Sequence, residues 1–508
     1  MSKAWNELAA RVSEMHDLHS ALRLLHWDQA VMMPPEGGPG RARAIATVEG
    51  EAHRRLTDPR VAELLEAVAD DPDLDEPRSA SVRVLRRDHE QATKLPVDLV
   101  KALAEARGLA YQAWTRARPA SDFSMLRPHL ERLLSLKIQE ADALGWEEAR
   151  YDALLDTWEP GLRAREAETL FSDLVDGLRP LLERALEARR DPPGFLSGTY
   201  DEDKQQEVCR ALAERIGFEP GSGRLDRSPH PFTSRIGPGD VRQTTRTHPR
   251  NLLGAVYAAL HETGHALYEQ GLPPEMVDLP AGRVPSLGMH ESQSRLWENQ
   301  VGRSRPFTDF LLPRLKDAFP EELGMTTPEE FFWGVNRVDR SLIRVEADEV
   351  TYNLHIALRF ELEAAMLRDE LGVEDLPGAW NDAMERYVGV RPPDDSDGVL
   401  QDMHWSIGAW GYFPTYTIGN LYAAAIFDRA RSELGDLDAE LRAGETGRLL
   451  EWLRARIHAR AYTLEAKDLV QEVVGAPPTA APLLSYLEEK FAPASMPDRR
   501  GRAPRRGP

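Results

Sequence analysis

Five residues have the types and the spacing to do chemistry: His261-Glu262-Thr263-Gly264-His265. Two histidines four positions apart on a helix project from one face, so both imidazoles can reach a single metal ion with Glu262 beside them. The chemistry such an arrangement serves is hydrolysis, in which a held cation acidifies water and a neighbouring carboxylate takes the proton. A catalytic zinc needs a third protein ligand and one open position. The sole cysteine, Cys209, cannot form an intrachain disulfide or a multi-cysteine site, which leaves histidines and carboxylates as ligands. Glu291 follows His265 by 26 positions (291 − 265), enough for one turn and a return helix that brings a carboxylate to the histidines. His16, His19, His53, His89 and His129 are scattered without ligand spacing.

The elements that must position these groups read as helices. Residues 3–33 carry Leu8, Val12, Met15, Leu18, Leu22 and Leu25 at helical steps and stop at Pro34-Pro35. From Arg41 to about Phe195 the apolar stripes continue, broken at Asp70-Asp71-Pro72, Leu95-Pro96, Glu159-Pro160-Gly161 and Asp191-Pro192-Pro193-Gly194. Between 218 and 248 the composition shifts to Gly, Pro, Thr and Ser. There PFTSRI, GPGD and VRQTTRT predict two short strands around a tight turn, with Asp240, Arg242 and Thr244 on one face of an edge strand. Such an edge can pair with an extended peptide. A helix starting at Thr247-His248-Pro249 and ending at Gly271 carries the motif, and a second from about Met289 carries Glu291, Arg295 and Glu298. Residues 327–371 read as helix, with Arg344 and Asp348 as i,i+4 neighbours. Residues 398–420 are dense in aromatics and glycine and form either a buried loop or a substrate wall, and helices resume from Leu421 to about Phe491. The basic, Pro- and Gly-rich residues 496–508 read as a disordered tail on a body of residues 1–495.

The bulk composition narrows the function class. Acidic residues outnumber basic ones 84 to 63, a net charge of −21, which disfavours a nucleic-acid or anionic-membrane surface. No apolar run approaches the ~18 residues of a membrane span and no signal-like h-region opens the chain, so a cytoplasmic location is expected.

Six blocks in order match a known set: His230-Pro231-Phe232; Asp240-x-Arg242-x-Thr244; His261 to His265; His290-Glu291-Ser292-Gln293; Ile343-Arg344-x-x-Ala347-Asp348; and Gly398-x-x-Gln401-Asp402-x-His404-Trp405. On these the chain resembles the carboxypeptidase Taq family of zinc metallocarboxypeptidases, and the segment HWDQAVMMPP is similar to that family's opening helix. The resemblance implies a mainly α-helical body with two lobes around a deep groove, similar to neurolysin and angiotensin-converting enzyme, and a small hairpin or sheet beside the zinc. It also implies a homodimer and removal of C-terminal residues from peptides with broad specificity but poor action on terminal proline.

With the family in view, the expected roles are one zinc per chain, with cobalt or manganese as substitutes, held by His261, His265 and Glu291, and Glu262 as general base and acid. Candidates for stabilising the developing oxyanion are Tyr412, Tyr416, His404 and His230, with Tyr416 and His404 preferred; His230 can instead only anchor its loop. For the substrate's free carboxylate the candidates are Arg344 first and Arg242 second. Asp348 and Glu298 are candidates for orienting the ligating histidines. The rival readings are a helical oligoendopeptidase or dipeptidyl carboxypeptidase and, outside enzymes, a helical binding protein with a structural metal. A structural site has no use for a base at Glu262.

Overall fold

The computed structural model describes residues 2–491, so the basic tail at 496–508 lies outside the described residues. The opening helix, Lys3–Val31, starts where the Ser2 hydroxyl accepts the Trp5 amide at 3.2 Å. Its Trp5, Leu8, Val12 and Met15 form a stripe at three- and four-residue steps. The stripe packs on Val61, Leu64 and Leu65 of helix Pro59–Ala67 and on Val82 and Leu85 of helix Glu76–Lys94, forming a small core of its own. A far larger core takes in the helices from Val97 to Phe491. At its centre lie Thr351–Leu367 and Phe413–Leu434, buried on almost every face: apolar residues supply most of that surface, and the buried Asn353, His355, Arg359 and Glu363 of the first are each hydrogen-bonded. The fold is thus mainly α, and no described helix is long and apolar enough to cross a membrane.

A three-stranded sheet interrupts the helices: β1 Gly223–Arg227, β2 Thr233–Gly237 and β3 Asp240–Thr245, in the order β1-β3-β2. β2 and β3 are the expected antiparallel hairpin, with Thr233 opposite Gln243 and Ser234 opposite Arg242. β1, which pairs parallel with β3, was not expected, and it makes β3 the central strand rather than an edge. The sequence of β1, GRLDR, has one apolar residue and so no alternation to betray it. Gly223 is what permits the pairing, since a β-carbon there would lie 2.2 Å from the Val241 carbonyl oxygen.

A second departure is at 413–420, where the helix Phe413–Leu434 begins eight residues before the expected Leu421 and carries Tyr416, and a third is at 336–350. The helix Pro328–Val335 ends and none resumes until Thr351, apart from one short turn at Arg344–Glu346. Polar groups explain the break. The Asp348 carboxylate accepts from the amides of Asp339, Val350 and Thr351 and from the Thr351 hydroxyl, satisfying the free N–H groups where the next helix begins. Arg344 and Asp348 are therefore not helical neighbours, and Arg344 pairs elsewhere.

Candidate metal centre and peptide site

The motif lies on helix Leu252–Gly271, whose first turn is capped by Asn251 accepting the Gly254 amide at 2.8 Å. Glu291 lies on helix Leu287–Arg295, which runs antiparallel to it: Glu298 faces His261, Glu291 faces both histidines, and His290 faces Glu269. Two glycines let the backbones come this close. A β-carbon on Gly264 would lie 2.6 Å from the Gln293 carbonyl oxygen, and one on Gly419 of helix Phe413–Leu434 would lie 2.6 Å from Glu291 Cγ. The start of the Glu291 helix is held by the distant Glu159, which accepts from Ser286 Oγ at 2.9 Å, the Gly288 amide at 2.9 Å and the Tyr422 hydroxyl at 3.2 Å.

Glu291 Oε2 stands 3.5 Å from His261 Nε2 and 3.5 Å from His265 Nε2, and one donor atom from each of the three residues lies within 4.8 Å of the others. Ligand atoms on tetrahedral arms of about 2.0–2.1 Å stand about 3.3–3.4 Å apart, so this donor set fits a zinc-sized ion. The electrostatics ask for a cation as well. Burial works against a charged His261, yet Glu291 and Glu298 override it and raise its pKa to about 10, so in the metal-free protein a proton takes up the positive charge. His265, without that excess of carboxylate, is pushed by burial down to about 3. The other nitrogen of His261, Nδ1, lies 2.9 Å from Glu298 Oε2, which leaves Nε2 for the metal. Glu291 Oε1 accepts from Arg295 Nε at 2.7 Å, so its two oxygens divide between the arginine and the histidines. His290 stacks on His265 with ring centroids 4.1 Å apart.

Glu262 is buried, and its Oε2 accepts from the Thr233 hydroxyl of β2 at 2.7 Å. Burial raises its carboxyl above the usual range, the direction a general base working near neutrality requires.

A second cluster joins the segments at 344, 352–359 and 401–416. Arg344 Nε and Nη2 donate to Asp402 Oδ1 at 3.0 and 2.8 Å, while Arg359 Nε donates to Asp402 Oδ2 at 2.6 Å. Both guanidiniums are buried, and Asp402 is the one carboxylate paired with either among the described residues. One positive charge is left in excess, since burial pushes neighbouring His404 down to about 3 and keeps it neutral. His404 Nε2 lies 3.2 Å from the Tyr416 hydroxyl. Tyr416 is one helical turn before Gly419, whose backbone touches Glu291, and this spacing carries the phenol toward the metal trio.

The structure therefore brings together His261, Glu262, His265, Glu291 and Glu298, and separately Arg344, His404 and Tyr416. It does not bring in Arg242, His230 or Asp348. Arg242 donates twice to Asp240, at 2.8 Å each, and lies 4.2 Å from the Trp27 ring centroid, so its charge is balanced within its own strand. His230 is exposed and its imidazole makes no hydrogen bond or ion pair among the described residues, although its carbonyl accepts from Ser228 Oγ at 2.6 Å. Asp348 holds the entry of its helix and makes no hydrogen bond to the histidines. Tyr412, in contrast, joins the second cluster, with its ring centroid 5.3 Å from that of Tyr416 and 5.5 Å from that of His404.

A metal trio with an adjacent base, carried on a helical body, is the architecture of a metallopeptidase. The family model described as carboxypeptidase Taq (M32) metallopeptidase matches residues 7–491, and the chain belongs to that family. It is 44% identical over 503 residues to thermostable carboxypeptidase 1 of Thermus thermophilus, covering 96% of this chain and 98% of that protein. It is 32% identical over 492 residues to carboxypeptidase 1 of Bacillus subtilis, with 96% and 98% covered. Among solved structures, the M32 carboxypeptidase from Deinococcus radiodurans superposes with a TM-score of 0.94 at 38% identity, covering 96% of this chain and 99% of that one. The protein is a metallocarboxypeptidase acting on peptides, and its family implies a metal ion.

Proposed function

We propose that the metal is zinc, held by His261, His265 and Glu291, and that the enzyme releases single C-terminal residues with broad specificity, poorly where that residue is proline. The observation that carries the reading is the convergence of both histidine Nε2 atoms on Glu291 Oε2 at 3.5 Å each, with a buried acid next to the first histidine. When bound, the ion supplies Lewis acidity that lowers the pKa of a water molecule toward about 7. Glu262 takes the water proton on its carboxylate and passes it to the departing amine, while the Thr233 hydroxyl holds that carboxylate in place. The Tyr416 hydroxyl, oriented by neutral His404, donates to the oxygen that becomes negative, a contact whose loss is typically about 3 kcal/mol. Arg344 takes the terminal carboxylate, which supplies the second negative charge that two guanidiniums sharing Asp402 lack.

Residues 1–495 form one catalytic body with two lobes around a groove in this reading, and the protein works in the cytoplasm as a homodimer. Cobalt or manganese can replace zinc. Digestion of an unblocked peptide, with products weighed with and without chelator alongside metal analysis, tests the proposal. A ladder of one-residue steps that chelation abolishes is the expected result. Two-residue steps indicate a dipeptidyl carboxypeptidase and internal fragments an endopeptidase, while activity untouched by chelation overturns the metal mechanism.

A further inference from the structure

Leu296–Gly302 form a π-helix directly after the Glu291 helix. In an α-helix, side chains three or four apart are neighbours and those five apart diverge. A π-turn closes its hydrogen bond between residues five apart, which carries residue 303 back beside residue 298. Arg303 Nη2 accordingly lies 3.1 Å from Glu298 Oε1, while Arg295, three residues before Glu298, reaches Oε2 at 3.2 Å. Glu298 is gripped from both sides, and Oε2 also faces His261 Nδ1 at 2.9 Å.

Arg303 is itself tied on three sides. Its Nη1 donates to the Val335 carbonyl at 3.0 Å, its own carbonyl accepts from Asn336 Nδ2 at 3.0 Å, and its guanidinium lies 4.0 Å from the Tyr257 ring centroid. Tyr257 is one turn before His261 on the motif helix, and its hydroxyl donates to the Gly302 carbonyl at 3.2 Å. The arginine thus spans the motif helix, the end of the π-helix and the segment at 335–336.

We propose that Arg303 is a positioning residue for the metal site: it fixes Glu298, and through Glu298 the ring of His261, so that Nε2 faces the cation. The proposal rests on the reading of His261, His265 and Glu291 as ligands. Without Arg303 one Glu298 oxygen loses its partner, the carboxylate can rotate, and the imidazole it orients can turn with it. Outer partners of ligating histidines typically change metal affinity by about 10- to 100-fold.

The test compares Arg303→Met, Arg303→Lys, Glu298→Gln and the double variant Glu298→Gln/Arg303→Met. Zn²⁺ affinity is read by competition with a chromogenic chelator, and the unfolding midpoint with and without Zn²⁺. Arg303→Met should lose about 10- to 100-fold in affinity, and the rise in midpoint on adding zinc should shrink with it. Arg303→Lys should recover part of the loss and, keeping the charge, reads the same coupling if the methionine variant does not fold. In the Glu298→Gln background Arg303→Met should cost nothing further, because the arginine acts through that carboxylate. Unchanged affinity with equal midpoint losses in the metal-free and zinc-loaded forms, or fully multiplicative losses in the double variant, would overturn the proposal. Glu291→Ala in the same titration separates the two readings: parental affinity there would overturn the ligand set itself.

Discussion

Replacing Arg344 with methionine tests whether the buried arginine pair exists to receive a carboxylate. Arg344 and Arg359 share the single charge of Asp402, so the cluster carries one excess positive charge inside the protein. Arg344 has five N–H groups; two point at Asp402 and one reaches the Tyr352 hydroxyl at 3.3 Å, leaving two for a ligand. Truncating one side of a buried, charged hydrogen-bonded pair costs about 2–5 kcal/mol. A central figure of about 3 kcal/mol corresponds to about 100-fold in kcat/KM on a free-acid peptide. The C-terminal amide of the same peptide never made that contact, so its slower cleavage should change little, and the acid-to-amide ratio should collapse toward unity. The fold should survive, because Asp402 and Arg359 remain a one-to-one pair. Asp402→Asn should be the more destabilising change, since it leaves two buried guanidiniums without a counter-charge. Equal losses on acid and amide would refute the carboxylate role. An Asp402→Asn protein as stable as its parent would refute the charge count beneath it.

Three further outcomes follow from the same geometry. Glu262→Gln keeps an acceptor for Thr233 but no base, so kcat should fall by about 10²- to 10⁴-fold with bound metal unchanged; retention of most activity would rule out its role. Gly419→Ala places a β-carbon 2.6 Å from Glu291 Cγ, so it should weaken metal binding in a chelator competition and lower stability by about 1–3 kcal/mol, and parental affinity would show that the contact is irrelevant. In metal-free protein, burial holds His265, His355, His404 and His458 near 3 and His16 near 4, below the ordinary 6.5, so between those values the unfolded chain binds the extra protons and stability falls with acid. Burial holds Glu159 and Glu363 at about 7, above the ordinary 4.5, and they act in the opposite sense between 4.5 and 7. Near pH 5.5 these five histidines outweigh the two carboxyls by about three protons, so urea denaturation should show a loss of about 3–4 kcal/mol per pH unit of acidification, and a gain would contradict the balance.

What could be read from the sequence divides along the range of the interactions. The histidine pair was legible because the helix repeat alone places residues 261 and 265 on one face. Glu291 and Glu298 were legible because a return helix repeats the same periodicity. Arg344 was named, but its pairing was misread: i,i+4 spacing suggested Asp348, whereas 336–350 leaves the helix and the actual partner, Asp402, lies 58 residues on. No local pattern reports such a contact. β1 was invisible because its burial comes from pairing with β3 rather than from alternating apolar residues. Gly264 stood in plain view inside the motif, yet what it permits, contact with the Gln293 carbonyl, belongs to a second helix.

The same division explains how the site is held. The groups proposed to serve the metal are supplied by short periodic patterns, while what fixes them comes from remote segments: Glu159 at the start of the Glu291 helix, Thr233 on Glu262, Gly419 against Glu291. A buried carboxylate that gains no partner neutralises instead of ligating. The contrast between Glu291 and Glu159 shows the partner deciding. Both are buried, but Glu291, faced by Arg295 and His261, is held well below the usual carboxylate range, whereas Glu159, bonded only to neutral donors, is pushed up to about 7. Arg295, one turn beyond Glu291, keeps that residue an anion in the metal-free protein, so under the proposed ligand set it carries its charge before the ion arrives.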